Sequence, residues 1–145
     1  MKKNFAIIGN PVKHSLSPVL HKYWFNKYNI DADYTVIETS DKDLPKIINK
    51  IKDGSLNGIN VTLPFKKKII NFVDKIINDA EQTGSVNTIM LDTSNSIIGE
   101  NTDVFGLQAA YLKEIDSVFN KKSLIIGAGG VSPSVILSLQ KSGIK

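Results

Sequence analysis

Cysteine is absent from this 145-residue chain, and so is arginine. The first absence excludes disulfide bridges and thiolate metal ligands. The second leaves all 18 basic residues as lysine. Arginine is the side chain that grips phosphates and guanine edges with two parallel donors. Without it, and with the lysines scattered apart from Lys66-Lys67-Lys68, a net charge of +4 gives little reason to expect a nucleic-acid partner. Histidine is scarce too: His14 and His21 stand without further metal-ligand company, so no metal site is expected. No apolar run is long enough to cross a bilayer. Met1-Lys2-Lys3 leads into a short strand-like run and not into the apolar core of a signal peptide. The expectation is a cytoplasmic protein without a membrane partner, and nothing in the sequence excludes a homodimer.

Hydrophobic residues make up 41% of the chain, an ordinary share for a globular domain with a real core. Apolar segments of two periods alternate along it. Asn4 to Ile8, Ala32 to Glu38 and Gly58 to Val61 read as strands. Ser17 caps a helix that starts with Pro18 and carries Val19, Leu20, Tyr23, Trp24 and Tyr28 on one apolar face, which reads as core. Leu44, Ile47, Ile48 and Ile51 form the stripe of a second helix, ended by Asp53-Gly54. A third helical stripe is Ile69, Ile70, Val73, Ile76 and Ile77, followed by a short helix near Asp79 that stops at Gly84. Ser85 to Leu91 and Ser96 to Glu100 read as a hairpin around Asp92-Thr93-Ser94-Asn95. Val104 to Glu114 reads as a helix with Leu107, Ala110 and Tyr111 inward, and 115–122 as a connector. Ser123 to Ile126 then reads as a strand and Ser132 to Ser142 as a last helix. The alternation predicts an α/β fold with a mainly parallel sheet flanked by helices.

Ligands of such sheets bind beyond the carboxyl ends of the strands. Ser15, Ser17, Thr62 and Lys66 all follow predicted strand ends. In Asn60-Val61-Thr62-Leu63-Pro64-Phe65-Lys66, hydrogen-bonding side chains break the apolar pattern, Pro64 stops strand pairing, and a lysine follows. Such a wall suits a small, oxygen-rich molecule. Near the other end, Gly127-Ala128-Gly129-Gly130-Val131 lies between a predicted strand and a predicted helix. That is the context of a dinucleotide fingerprint: a tight turn, close backbone approach and a helix amino end for a pyrophosphate. Ser132 occupies the third glycine position of that pattern. One strand and one helix cannot bury their apolar faces alone, so the chain is expected to be an incomplete fragment.

Five blocks in order resemble the shikimate dehydrogenase family. They are Ile8-Gly9-Asn10-Pro11-Val12-Lys13-His14-Ser15-Leu16-Ser17-Pro18, the Asn60 to Lys66 segment, Gly84-Ser85-Val86-Asn87-Thr88, Gly99-Glu100-Asn101-Thr102-Asp103-Val104-Phe105-Gly106, and the glycine turn. The resemblance implies a substrate-binding catalytic domain over 1–103. It also implies a linking helix and the first β-α unit of a Rossmann domain over 104–145. The reaction implied is NADPH-dependent, reversible reduction of 3-dehydroshikimate to shikimate, a step toward chorismate and the aromatic amino acids. Ser15 and Ser17 would bind the substrate carboxylate. Asn60, Thr62, Lys66, Asn87 and Asp103 would hold the ring oxygens. Lys66 and Asp103 would be the catalytic pair, and Gly127, Ala128, Gly129, Gly130 and Val131 the NADP turn. Val131 and Ser134 replace alanines common in the family's cofactor helix, and Pro133 lies in its first turn, which bears on cofactor packing. Two alternatives stand beside this reading: a quinate-using relative, and a substrate-binding domain without hydride transfer.

Overall fold

The computed structural model describes residues 2–115 and 120–144. In chain order the elements are β1 (Lys3–Gly9), α1 (Ser17–Lys27), β2 (Ala32–Glu38), α2 (Leu44–Lys52), β3 (Gly58–Val61), β4 (Lys75–Ile76), α3 (Asp79–Thr83), β5 (Thr88–Leu91), β6 (Ile97–Glu100), α4 (Asp103–Ala110) and α5 (Ser132–Lys141), with short 3-10 turns between some of them. The strands form one sheet in the order β2-β1-β3-β5-β6-β4. Three pairings are parallel (β1–β2, β1–β3, β4–β6), and β5 runs antiparallel to both its neighbours. The sheet is thus mainly parallel, with the expected hairpin set into it.

Strand alternation divides the core. Ala6, Ile8, Ile59, Val61, Ile89 and Ile97 face α2, whose Leu44, Ile47, Ile48 and Ile51 are all buried as the 3.6-residue period requires. Ile7, Val12 and Tyr34 turn to the opposite face, with Phe5, Phe25 and Val36 against them.

That second face corrects the reading of α1. The predicted stripe is open: Val19, Leu20, Tyr23, Trp24 and Tyr28 are all exposed. The helix instead presents His21 and Phe25, one turn apart, to an aromatic floor. His21 stacks on Tyr34 at 4.1 Å and Phe25 packs on Phe5 at 5.8 Å. Periodicity identifies a stripe, but complementarity with the sheet chooses the face. Lys27 lies over the open stripe, 5.2 Å from the Trp24 ring. Ser17 is the first residue of α1 and makes no side-chain cap; its N–H donates to Ser15 Oγ at 3.2 Å.

Three further expectations are corrected. The helix predicted over 69–77 is a 3-10 turn (Lys68–Phe72) followed by β4, because Lys75 and Ile76 pair with Ile98 and Gly99. In α4 and the 3-10 turn after it, Val104 and Leu112 are buried, while Leu107 is half-buried and Ala110 and Tyr111 are exposed. Ser123 to Ile126 forms no strand: a ladder needs a neighbour, none of the described strands pairs with it, and Leu124 and Ile126 are exposed. Residues 116–119 of the predicted connector lie outside the described residues. Among the described residues no helix is long and apolar enough to cross a membrane.

Candidate active site

Register assembles the site. Gly9 pairs with Glu38, and Ile8 with Val61, so β1, β2 and β3 end along one edge of the sheet. Because β5 is antiparallel, its start lies at that same edge: Thr88 pairs with Asn60 and with Glu100. The residues just past these ends, 10–17, 62–66, 87 and 101–103, are therefore neighbours although they are far apart in the chain. Gly9 permits the closest approach. A Cβ there would lie 2.6 Å from Thr62 Cγ2 and 3.0 Å from the Leu63 carbonyl oxygen.

Lys66 Nζ lies 2.7 Å from Asp103 Oδ2, with the two side chains 12% and 24% exposed. Asn87 Nδ2 donates to the other carboxylate oxygen, Oδ1, at 2.7 Å. The Asn87 amide is itself oriented, since its Oδ1 accepts from Thr102 N at 3.0 Å and from the hydroxyls of Thr88 and Thr102. The carboxylate is thereby held at both oxygens with the ammonium against it, in a setting where water is scarce and charge-assisted bonds are strong. An ammonium beside a fixed carboxylate can steady a developing alkoxide and transfer a proton to it.

Ser15, Ser17 and Thr62 line a cavity of about 420 Å³ with Ile7, Val12, His14 and Leu63. Ser15 Oγ donates to Ser17 Oγ at 3.1 Å, so the two hydroxyls form a pair of adjustable donors. Leu63 also borders a second cavity of about 290 Å³, which Lys66, Lys67 and Lys68 share with Ala128, Gly129 and Gly130. The glycine turn thus faces the lysine segment across a cleft. A Cβ on Gly130 would lie 2.7 Å from Leu63 Cδ2, so the turn rests on that side chain.

Asn60 is placed differently from the other predicted ligands. Its Oδ1 accepts from the Tyr34 hydroxyl at 2.7 Å, and its Nδ2 donates to Asn87 O and Thr88 Oγ1. It lines an apolar groove of about 210 Å³ on the α1 side of the sheet, not the serine-lined cavity. Tyr34 itself carries no sequence mark beyond its place in an alternating strand. Burial pushes its hydroxyl well above the usual phenol range, with Ser17 beside it opposing that shift, so it stays protonated and donates to Asn60. Burial also lowers the His21 pKa, which keeps the stacked imidazole neutral.

The glycine turn fits a dinucleotide at the level of its own residues. Gly127 has φ +116°, which favours glycine, and added Cβ atoms at Gly127 and Gly129 would meet nothing within 4 Å, so the backbone is open to close approach. Pro133 lies in the first turn of α5, where its missing N–H breaks no helical hydrogen bond but leaves one donor fewer for a pyrophosphate. Ser134 does not crowd the cofactor side; it is buried and bonded to Asn101. Val131 is half exposed.

Comparison with known proteins places the sequence and the fold. Residues 7–89 match the family model of the shikimate dehydrogenase substrate binding domain. The whole chain is 47% identical to an NADP(+) shikimate dehydrogenase of Pelagibacter ubique, covering 54% of that protein. Its fold matches the shikimate dehydrogenase of Aquifex aeolicus with a TM-score of 0.92 at 37% identity, over 99% of this chain and 54% of the other. It also matches the shikimate 5-dehydrogenase of Listeria monocytogenes, crystallised with shikimate and NAD, with a TM-score of 0.89 at 32% identity, over 99% of this chain and 50% of the other. The chain spans about half the length of the relatives it matches. On its sequence and its fold alike, this chain belongs to the shikimate dehydrogenase family.

Proposed function

We propose that residues 1–103 bind shikimate and 3-dehydroshikimate and carry the proton-transfer pair of an NADP-dependent shikimate dehydrogenase, and that 104–145 begin its nucleotide-binding part. The observation that carries this reading is the Lys66–Asp103–Asn87 network, on the sheet edge from which Ser15, Ser17 and Thr62 also project. Ser15 and Ser17 offer hydroxyl donors to the substrate carboxylate; with no arginine in the chain, neutral donors do this work. Thr62, Lys66, Asn87 and Asp103 face the ring oxygens. Asn60 contributes from behind, through its bonds to Asn87 and Thr88.

In the reducing direction, negative charge builds on the carbonyl oxygen. Lys66 steadies that charge and gives up a proton to it, while Asp103, fixed by Asn87, keeps the ammonium aimed at the oxygen. A bound nicotinamide dinucleotide supplies the hydride. The turn from Gly127 to Val131 would hold its pyrophosphate through its own backbone, since at the start of α5 the Ser132 N–H is bonded to Gly129 O and Pro133 has none. We take the protein to be cytoplasmic, which suits a chain without cysteine, and the open aromatic stripe of α1 is compatible with a homodimer.

The test is a shikimate titration of the isotope-labelled chain followed by NMR. Amide shifts are expected at Ser15, Ser17, Thr62, Lys66, Asn87 and Asp103, with much weaker binding of the methyl ester. Shifts scattered elsewhere, or equal affinity for acid and ester, would refute the assignment.

A further inference from the structure

Ser134, in the first turn of α5, is 1% exposed. Its hydroxyl reaches both ends of the Asn101 side-chain amide: Asn101 Nδ2 donates to Ser134 Oγ at 3.0 Å, and Ser134 Oγ is 3.3 Å from Asn101 Oδ1. Asn101 is 2% exposed and serves two masters. Its Nδ2 also donates to Ser85 O at 2.8 Å and Thr83 Oγ1 at 3.1 Å. Its Oδ1 accepts the backbone N–H of Asp103 at 3.0 Å. The amide orientation is not free. A flip would turn the NH₂ group toward the Asp103 N–H and the oxygen toward the Ser85 carbonyl, two clashes of like groups.

We propose that Asn101 and Ser134 act together as positioning residues: they clasp α5, and with it the glycine turn, to the backbone of Asp103, so that the nucleotide turn and the Lys66–Asp103 pair keep one spacing. This rests on the reading of Asp103 as part of the substrate site. The need for such a clasp follows from the reaction class, because hydride transfer requires reacting atoms about 3–3.5 Å apart, and small misplacement is costly. The distance in sequence is bridged by one amide: Asn101 and Ser134 are 33 residues apart. Other contacts bind α5 to the body without touching Asp103. Ser138 Oγ donates to Val104 O at 3.0 Å, and Lys141 pairs with Asp79. They provide an internal control.

Removing Asn101 breaks several buried hydrogen bonds and risks the fold, so the test uses Ser134→Ala in the 145-residue chain, with Ser138→Ala as its control. Hydrogen exchange of the Asp103 amide reads the clasp without any ligand. Ser134→Ala is expected to speed that exchange about tenfold, while Ser138→Ala leaves it within about twofold of wild type. Shikimate affinity reads the consequence. Ser134→Ala is expected to weaken it about three- to tenfold, with no further loss when added to Asp103→Asn, because the effect runs through that carboxylate. Unchanged exchange at Asp103 in Ser134→Ala, or an equal rise in Ser138→Ala, overturns the clasp; so does a loss of affinity that adds fully to that of Asp103→Asn. If the wild-type chain does not take up shikimate, the substrate reading falls, and the exchange experiment still decides whether Ser134 positions Asp103.

Discussion

Replacing Lys66 by methionine keeps most of the side-chain volume and removes the charge. The Asp103 carboxylate then loses the partner 2.7 Å from Oδ2 and keeps the Asn87 N–H on Oδ1. Breaking a fully buried ion pair by removing one member costs about 3–5 kcal/mol, and an exposed pair is worth about 0–1 kcal/mol. At 12% and 24% exposure this pair lies between those limits, and the retained Asn87 bond lowers the penalty, which gives about 2 kcal/mol. For a domain of this size that corresponds to a fall in Tm of about 4–8 °C. The assay is urea and thermal unfolding at neutral pH of wild type, Lys66→Met, Asp103→Asn and the double variant. The double variant leaves neutral groups facing each other and is expected to recover most of the loss, to within about 1 kcal/mol of wild type. Fully additive single losses, or a Lys66→Met chain as stable as wild type, would mean that the lysine lies in solvent and would remove the basis of the proposed proton-transfer pair.

Ser85 Oγ is buried and is the one such side-chain atom among the described residues without a hydrogen-bond partner, so Ser85→Ala is expected to stabilise the chain by about 1 kcal/mol; urea midpoints measure this, and a loss of stability would refute it. Because burial lowers the His21 pKa in the folded state, the unfolded chain binds more protons at mildly acid pH. Stability is therefore expected to fall as pH drops through the unfolded value of about 6.5, and His21→Gln to flatten that slope in unfolding curves between about pH 7 and 5. The chain by itself is expected to bind shikimate without oxidising it in the presence of NADP+. In a chimera joining residues 1–145 to the second half of the Pelagibacter relative, Lys66→Ala should lower kcat about 10²–10⁴-fold while KM changes far less; the reverse split would make Lys66 a binding group only.

The elements that could be read without coordinates are those whose information lies within a few residues. The four buried residues of α2 recur at helical spacing, and Gly84 adopts the left-handed conformation that ends α3. The turn between β5 and β6 closes through Asp92 Oδ1, which accepts the N–H groups of Ser94 and Ser96. The serines, Thr62 and Lys66 were legible as strand-end residues because loops after parallel strands share an edge.

What no local pattern could supply was the choice between equivalent surfaces. Both flanks of α1 carry large rings, and the sheet beneath selected His21 and Phe25 over Trp24 and Tyr23. The isoleucines after Lys68 suit a helix or a strand, and the free ladder of β6 drew Lys75 and Ile76 into the sheet. Leu124 to Ile126 have strand character, but a strand exists only when another pairs with it. Asn60 turning to Tyr34, and Asn101 closing on Ser134, join residues 26 and 33 positions apart. The sequence by itself therefore determined the periodic elements, the turns and the residue types at the sheet edge, since these follow from steric and hydrogen-bonding preferences between near neighbours. Only the tertiary structure decided which face was buried, which strand found a partner and which amide was already spoken for, since those are settled by packing and pairing between segments brought together when the chain folds.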